Sequence, residues 1–222
     1  MDRILLTGFG AYGNTPVNPA EGVARRLDGE THGEARIISR IVPNSFFESI
    51  EFVRREMEQI RPRWVLMMGE YGGRATITVE RLAQNLNDGT RYGLADNAGR
   101  RLQDVMTVAG GPAALYTTAP VRAMVLAMRD AGIPAEISDA AGTFCCNHLH
   151  YGILHHIMTQ KLPVQAGWIH LPRVPEVAAR PENLGQPSMS LETATRGVRA
   201  ALGAMLTHPT DVDAAVSGRL QI

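Results

Sequence analysis

The stretch Ile137-Ser138-Asp139-Ala140-Ala141-Gly142-Thr143-Phe144-Cys145-Cys146-Asn147 marks the passage from a strand to a helix. Ala135 to Ser138 reads as the strand and Cys146 to Thr159 as the helix. Ala141 to Phe144, with Gly142 among them, read as the turn between. Both cysteines of the chain stand at this junction. A thiol at a helix N-terminus meets unpaired backbone N–H groups and the positive end of the helix dipole, and both favour the thiolate. The placement sets a cysteine nucleophile against a plainer reading, two small buried apolar residues.

The same alternation repeats outward in both directions. Upstream, Arg3 to Thr7 reads as a buried strand closing at Gly8-Phe9-Gly10. Asn18-Pro19-Ala20-Glu21 opens a helix to about Leu27, with Asn as cap, Pro at the first helical position and an acid in the first turn. Ala35 to Val42 is a second strand. Phe46, Ile50, Val53, Met57 and Ile60 recur at a helical period. Trp64 to Met68 is a continuous apolar run of strand length, and Thr76 to Leu82 is β-branched and reads as strand. Gly89 to Ala113, rich in Gly, Asp and Asn, reads as a long functional loop or small hairpin. Pro120 to Ala131 is a helix, Ala166 to His170 a strand, and Ser190 to Leu206 a final helix capped by Ser190. The tail from about residue 206 reads as weakly held. Strands alternating with helices give an α/β fold, a sandwich with helices on both faces of a mixed, mostly parallel sheet. One domain over residues 1–222 is expected, with the site at strand ends.

Composition narrows the function. An apolar content of 45% and a charged content of 20% over 222 residues suit a globular protein with a sizeable core. A formal net charge of zero offers nothing to nucleic acid or an acidic membrane. No apolar run approaches the roughly 20 residues of a membrane span. The N-terminal residues show no signal-peptide pattern, and adjacent cysteines make a poor disulfide framework, so a cytoplasmic protein is expected.

A cysteine nucleophile needs a base within reach, and the base needs an orienting group. His170 ends the Gly167-Trp168-Ile169 strand and is the histidine best placed to meet Cys146. His148, His150, His155 and His156 all lie on the helix after Cys146. His148 and His155 hint at a metal pair, but no carboxylate or thiol spacing completes a zinc site, so neither metal nor cofactor is expected. Glu80 is the candidate third member. Period-two alternation puts Thr76, Thr78 and Glu80 on one face of their strand, and a buried carboxylate there needs a partner. A structural salt bridge to an arginine is the competing reading of Glu80.

Three blocks resemble the pyroglutamyl peptidase I (pyrrolidone-carboxylate peptidase) family of cysteine peptidases. Gly69-Glu70-Tyr71-Gly72-Gly73-Arg74-Ala75-Thr76-Ile77-Thr78-Val79-Glu80-Arg81-Leu82-Ala83 is similar to its glutamate signature. Ser138 to Asn147 is similar to its cysteine signature, and Gly167-Trp168-Ile169-His170-Leu171-Pro172 to its histidine block. Leu6-Thr7-Gly8-Phe9-Gly10 and Asn18-Pro19 match as well. The resemblance spans residues of about 4 to 206. It implies a three-layer α/β/α fold, no metal, and removal of N-terminal pyroglutamyl residues from peptides by way of a thioester. It implies Cys146 as nucleophile, His170 as base then acid, and Glu80 as the orienting carboxylate. It places Phe9, Tyr12, Tyr92, Phe144 and Cys145 around the flat lactam ring, with Asn18 and Glu70 also at the substrate, and Arg91 beside the oxyanion site. It also suggests a homo-oligomer, commonly a tetramer.

The chain departs from the family pattern at four points. Glu70 stands where many members have glutamine, Tyr71 where they have a small residue, and Tyr12 where phenylalanine is frequent. The Asn87 to Asn97 loop carrying Arg91 is longer. A carboxylate at the pocket rim bears on which substrates are accepted. Two alternatives follow, a related cysteine amidohydrolase with a shifted substrate and a catalytically silent small-molecule-binding homologue.

Overall fold

The computed structural model describes residues 1–13 and 15–218. In chain order the elements are β1 (Asp2–Phe9), α1 (Pro19–Leu27), β2 (Thr31–His32), β3 (Ala35–Val42), α2 (Glu48–Ile60), β4 (Trp64–Glu70), β5 (Ile77–Glu80), β6 (Leu82–Gln84), β7 (Ala114–Tyr116), α3 (Val121–Asp130), β8 (Ala135–Ser138), α4 (Cys145–Gln160), β9 (Gln165–Leu171), α5 (Pro175–Ala178) and α6 (Leu191–Thr207). Single 3₁₀ turns lie at Thr90–Tyr92 and Pro181–Asn183.

The main sheet has seven strands in the order β2-β3-β1-β4-β9-β5-β8. β3, β1, β4 and β9 pair in parallel, as do β5 and β8, but β5 runs antiparallel to β9. The mixed, mostly parallel sheet expected from the alternation is the one observed. All of β4 is buried, as a strand covered on both faces requires. Alternate residues serve opposite layers. Ile4, Leu6, Leu66, Met68, Ile77 and Val79 pack beneath α1, α3 and α6, while Leu5, Phe9, Val65, Met67 and Trp168 pack beneath α2 and α4.

Local chemistry sets the helix starts. Asn18 Oδ1 accepts the Ala20 N–H at 3.0 Å with Pro19 opening α1, and Ser190 Oγ accepts the Thr193 N–H at 3.0 Å to open α6. The strand expected over 76–82 divides. β5 ends at Glu80: the Arg81 N–H still donates to the Ser138 carbonyl of β8 (2.7 Å), but the Arg81 carbonyl accepts from the Thr117 N–H (3.0 Å) outside the sheet. β6 then pairs with β7 in a separate two-stranded ribbon. The long loop lies between these two short strands, so the ribbon frames the segment instead of folding within it. The tail read as weakly held makes specific contacts as far as Ser217. Asp211 accepts the N–H groups of Arg122 and Ala123 at the start of α3, and Arg129 donates to the Ser217 carbonyl.

Strand direction positions the site. The C-terminal ends of β1, β4 and β9 share one edge of the sheet. β5 and β8 oppose them, which sets Thr78 beside His170 and Glu80 beside Trp168. The segment after β8 therefore reaches that edge from the opposite direction and delivers the start of α4 to it.

Candidate active site

Four elements converge on one cavity of about 260 Å³. β9 brings His170, the α4 N-terminus brings Cys146, and β1 with β4 brings Phe9 and Glu70; all four line the cavity. Tyr12, Asn18, Asn44, Tyr92 and Phe144 complete much of the wall. Gly142, at φ 79°, makes the turn before Cys146, a left-handed conformation that suits glycine. Gly69 lets the thiol approach β4. A Cβ there would lie 2.8 Å from Cys146 Sγ and 3.6 Å from His170 Cδ2, so thiol and imidazole flank the same glycine.

Behind the cavity, His170 Nδ1 meets Glu80 Oε1 at 2.8 Å. Both side chains are buried. Glu80 Oε1 also accepts from Arg74 Nη1 at 2.8 Å and from Thr78 Oγ1 at 3.2 Å. Glu80 thus pairs with an arginine and with His170 at once, so the two readings of it are compatible. Arg74 stacks over Tyr71 at 3.8 Å, and the Tyr71 ring meets His170 edge-on at 5.2 Å. His170 Nε2 has no hydrogen-bond partner among the described residues.

Protonation states follow from these contacts. Burial acts to raise Glu80, but the His170 hydrogen bond and the His170 and Arg74 charges carry its carboxyl well below the usual range. Burial lowers His170, against the pull of Glu80. Burial raises the Cys146 thiol, and Glu80 and Glu70 push the same way. The helix terminus was expected to favour a thiolate. Burial and the two carboxylates oppose that effect at Cys146, and burial favours the neutral form of His170.

Two residues assigned to the pocket lie elsewhere. Cys145 is fully buried in the core under α2 and α4, because one helical step turns it about 100° away from Cys146. Arg91 sits on the exposed 3₁₀ turn, its guanidinium 5.3 Å from the Tyr92 ring, and is not part of the cavity wall. Asn18 does line the cavity, but its amide caps α1 and donates to the Gly10 carbonyl at 3.0 Å. His148, weighed as a metal ligand, accepts the Phe47 N–H on Nε2 at 2.8 Å and meets Asn87 Oδ1 with Nδ1 at 3.1 Å. Arg74, Asn44 and Arg173 carried no expectation. Arg74 and Arg173 lie within or just after the signature blocks, and an arginine near a buried acid was the available signal.

A thiol, an imidazole and a buried carboxylate gathered at strand ends of an α/β sheet define a class, the cysteine hydrolases. Within it, the chain belongs to the pyroglutamyl peptidase family, whose profile matches residues 2–208. The pyrrolidone-carboxylate peptidase of Mycobacterium tuberculosis (strain ATCC 25618 / H37Rv) is 58% identical over 222 residues, covering 100% of both chains. That of Cupriavidus necator is 45% identical, covering 96% of each. The crystal structure of Bacillus amyloliquefaciens pyroglutamyl peptidase I superposes with a TM-score of 0.91 at 36% identity, covering 96% of this chain and 100% of the other. Among the described residues, no helix is long and apolar enough to cross a membrane.

Proposed function

We propose that this chain is a cysteine exopeptidase that removes an N-terminal pyroglutamyl residue from peptides, with Cys146 as nucleophile, His170 as base and acid, and Glu80 as orienter. The observation that carries the reading is the His170–Glu80 bond, which commits Nδ1 and leaves Nε2 without a partner among the described residues, on a ring that shares the cavity wall with Cys146. A neutral imidazole so oriented accepts the thiol proton as sulfur attacks the pyroglutamyl carbonyl. The resulting oxyanion meets the first N–H groups of α4. Phe144 at the N-cap supplies no side-chain cap for them, and each such donor is worth roughly 3 kcal/mol. His170 then returns the proton to the departing amine, leaving a thioester on Cys146. A water molecule, deprotonated by His170, hydrolyses the thioester, releasing pyroglutamate and the thiol.

The cavity suits one small flat ring. Phe9 and Phe144 supply apolar wall, and Glu70 Oε2, buried and without a partner among the described residues, is an acceptor for the lactam N–H. Tyr92, 42% exposed, stands at the mouth where the peptide leaves. The Glu70 carboxylate also favours a second reading, a cysteine amidohydrolase acting on a related N–H-bearing acyl group.

A pyroglutamyl-amide reporter tests the first reading. Cys146→Ala is expected to abolish cleavage, about 10⁴-fold or more, while Cys145→Ala retains most of it. Full activity in the Cys146 variant overturns the assignment. Preference for prolyl or free-lactam substrates over pyroglutamyl ones favours the second reading. The same proposal takes residues 1–222 as one peptidase domain working in the cytoplasm without metal or cofactor. It takes the active form as a homo-oligomer, a tetramer on the family resemblance, which light scattering on the purified chain checks.

A further inference from the structure

We propose that Arg173 is a specificity-determining positioning residue: it holds Glu70 as a carboxylate in the cavity and fixes which of its oxygens faces the substrate. The inference rests on the peptidase reading of the site. Glu70 Oε1 accepts from Arg173 Nε at 3.3 Å and from the Tyr12 hydroxyl at 3.2 Å. Both donors bind the same oxygen. Oε2 is left buried and without a partner among the described residues, on a side chain that lines the cavity.

Arg173 is itself anchored from the far side. Its Nη1 donates to Asn183 Oδ1 at 2.5 Å and to Gln186 Oε1 at 2.7 Å. Asn183 in turn donates to the Val177 carbonyl at 2.9 Å. Gly72 makes room for the guanidinium, since a Cβ there would come within 2.6 Å of Nε. One fork therefore joins the pocket carboxylate to the turn around Pro181–Asn183. A carboxylate without a cation in such a place takes up a proton. Its O–H then competes with the lactam N–H for the role of donor. Burial already raises the Glu70 carboxyl, with Arg173 and then Tyr12 opposing it. Cys146 from α4, His170 from β9 and the phenols of Tyr12, Tyr71 and Tyr92 are the other titratable groups on the same cavity besides Arg173 itself.

The test is the pH dependence of kcat/KM on the pyroglutamyl-amide reporter. Ionised Glu70 is the competent form, so activity falls as pH drops through its titration. Removing the cation moves that fall to higher pH. Arg173→Met is expected to shift the acid limb upward by about one pH unit and to raise KM about tenfold with kcat nearly kept. Arg173→Lys is expected to return the limb towards its original place. In a Glu70→Gln background, Arg173→Met is expected to cause no further shift. Should Arg173→Met fail to fold, the Asn183→Ala/Gln186→Ala pair loosens the same fork and is expected to raise KM about threefold. An acid limb and KM indifferent to Arg173 overturn the inference, as does the same shift in the Glu70→Gln background. An inactive unmodified protein overturns the functional reading and this inference with it.

Discussion

The two faces of the sheet are filled by different chemistry. The face under α1, α3 and α6 is packed with Leu, Ile, Val, Met and Ala. The face under α2 and α4 mixes such residues with buried polar and ionisable ones: Glu80, Asn87, Asn147, His148, His150 and His170. Aliphatic packing tolerates any pH and gains from burial alone. Each buried ionisable group instead needs a partner, a shifted proton equilibrium or both. One face thus serves mainly to hold the sheet, and the other gives up stability to place reactive groups.

Glu80→Gln tests the polar face most severely. An amide keeps the shape but cannot stabilise an imidazolium, and it offers His170 an alternative hydrogen-bond arrangement. It also leaves Arg74 buried without its carboxylate partner. A loss of about 10⁴-fold in kcat is expected, the scale of the equivalent change in a serine protease triad. Reporter kinetics, with circular dichroism to show that the variant folds, measure it. Near-normal kcat would return Glu80 to the role of a structural salt bridge.

Acid probes the same face through stability. Burial holds His148 at about 4 and His150 at about 3, below the ordinary histidine value. The unfolded chain then binds protons that the folded chain refuses. Stability is full above about pH 6.5 and falls as pH drops towards the folded values, by about 3 kcal/mol for His148 and about 5 kcal/mol for His150. Neither His150 nitrogen has a hydrogen-bond partner among the described residues, and its ring lies 6.0 Å from that of Trp168. His150→Phe is therefore expected to flatten the loss of stability between pH 6.5 and 4, as followed by urea denaturation. An unchanged slope would mean that His150 protonates without unfolding the face.

Much of this contrast was legible in the sequence, and the gaps have physical causes. Caps at Asn18 and Ser190, apolar runs in β1 and β4, and the block positions of Cys146, His170 and Glu80 are local signals. The direction of β5 against β9 is not local, because an apolar run reads the same whichever way its neighbour points. The opposite fates of Cys145 and Cys146 depend on the rotation of α4 against the sheet. Arg173 found its partner, Glu70, across 103 positions of chain. The Asp211 contacts were hidden for the same reason, in a tail whose composition suggested little.

Asp211 gives the smallest effect and the cleanest contrast. Pro120 precedes α3 with no side-chain cap of its own, so the helix begins with unpaired N–H groups. Asp211 supplies the missing acceptors, taking the Arg122 N–H from 89 residues away at 3.0 Å and the Ala123 N–H from 88 residues away at 3.1 Å. Its negative charge also complements the helix dipole. Asp211→Ala is expected to cost about 1 kcal/mol, the usual worth of a cap, read as a lowered urea midpoint. Because α3 packs on the aliphatic face, kcat and KM on the reporter are expected to stay as they were. A change in kcat without a change in stability would mean that the two faces are coupled through the sheet, and the division of labour between them would fail.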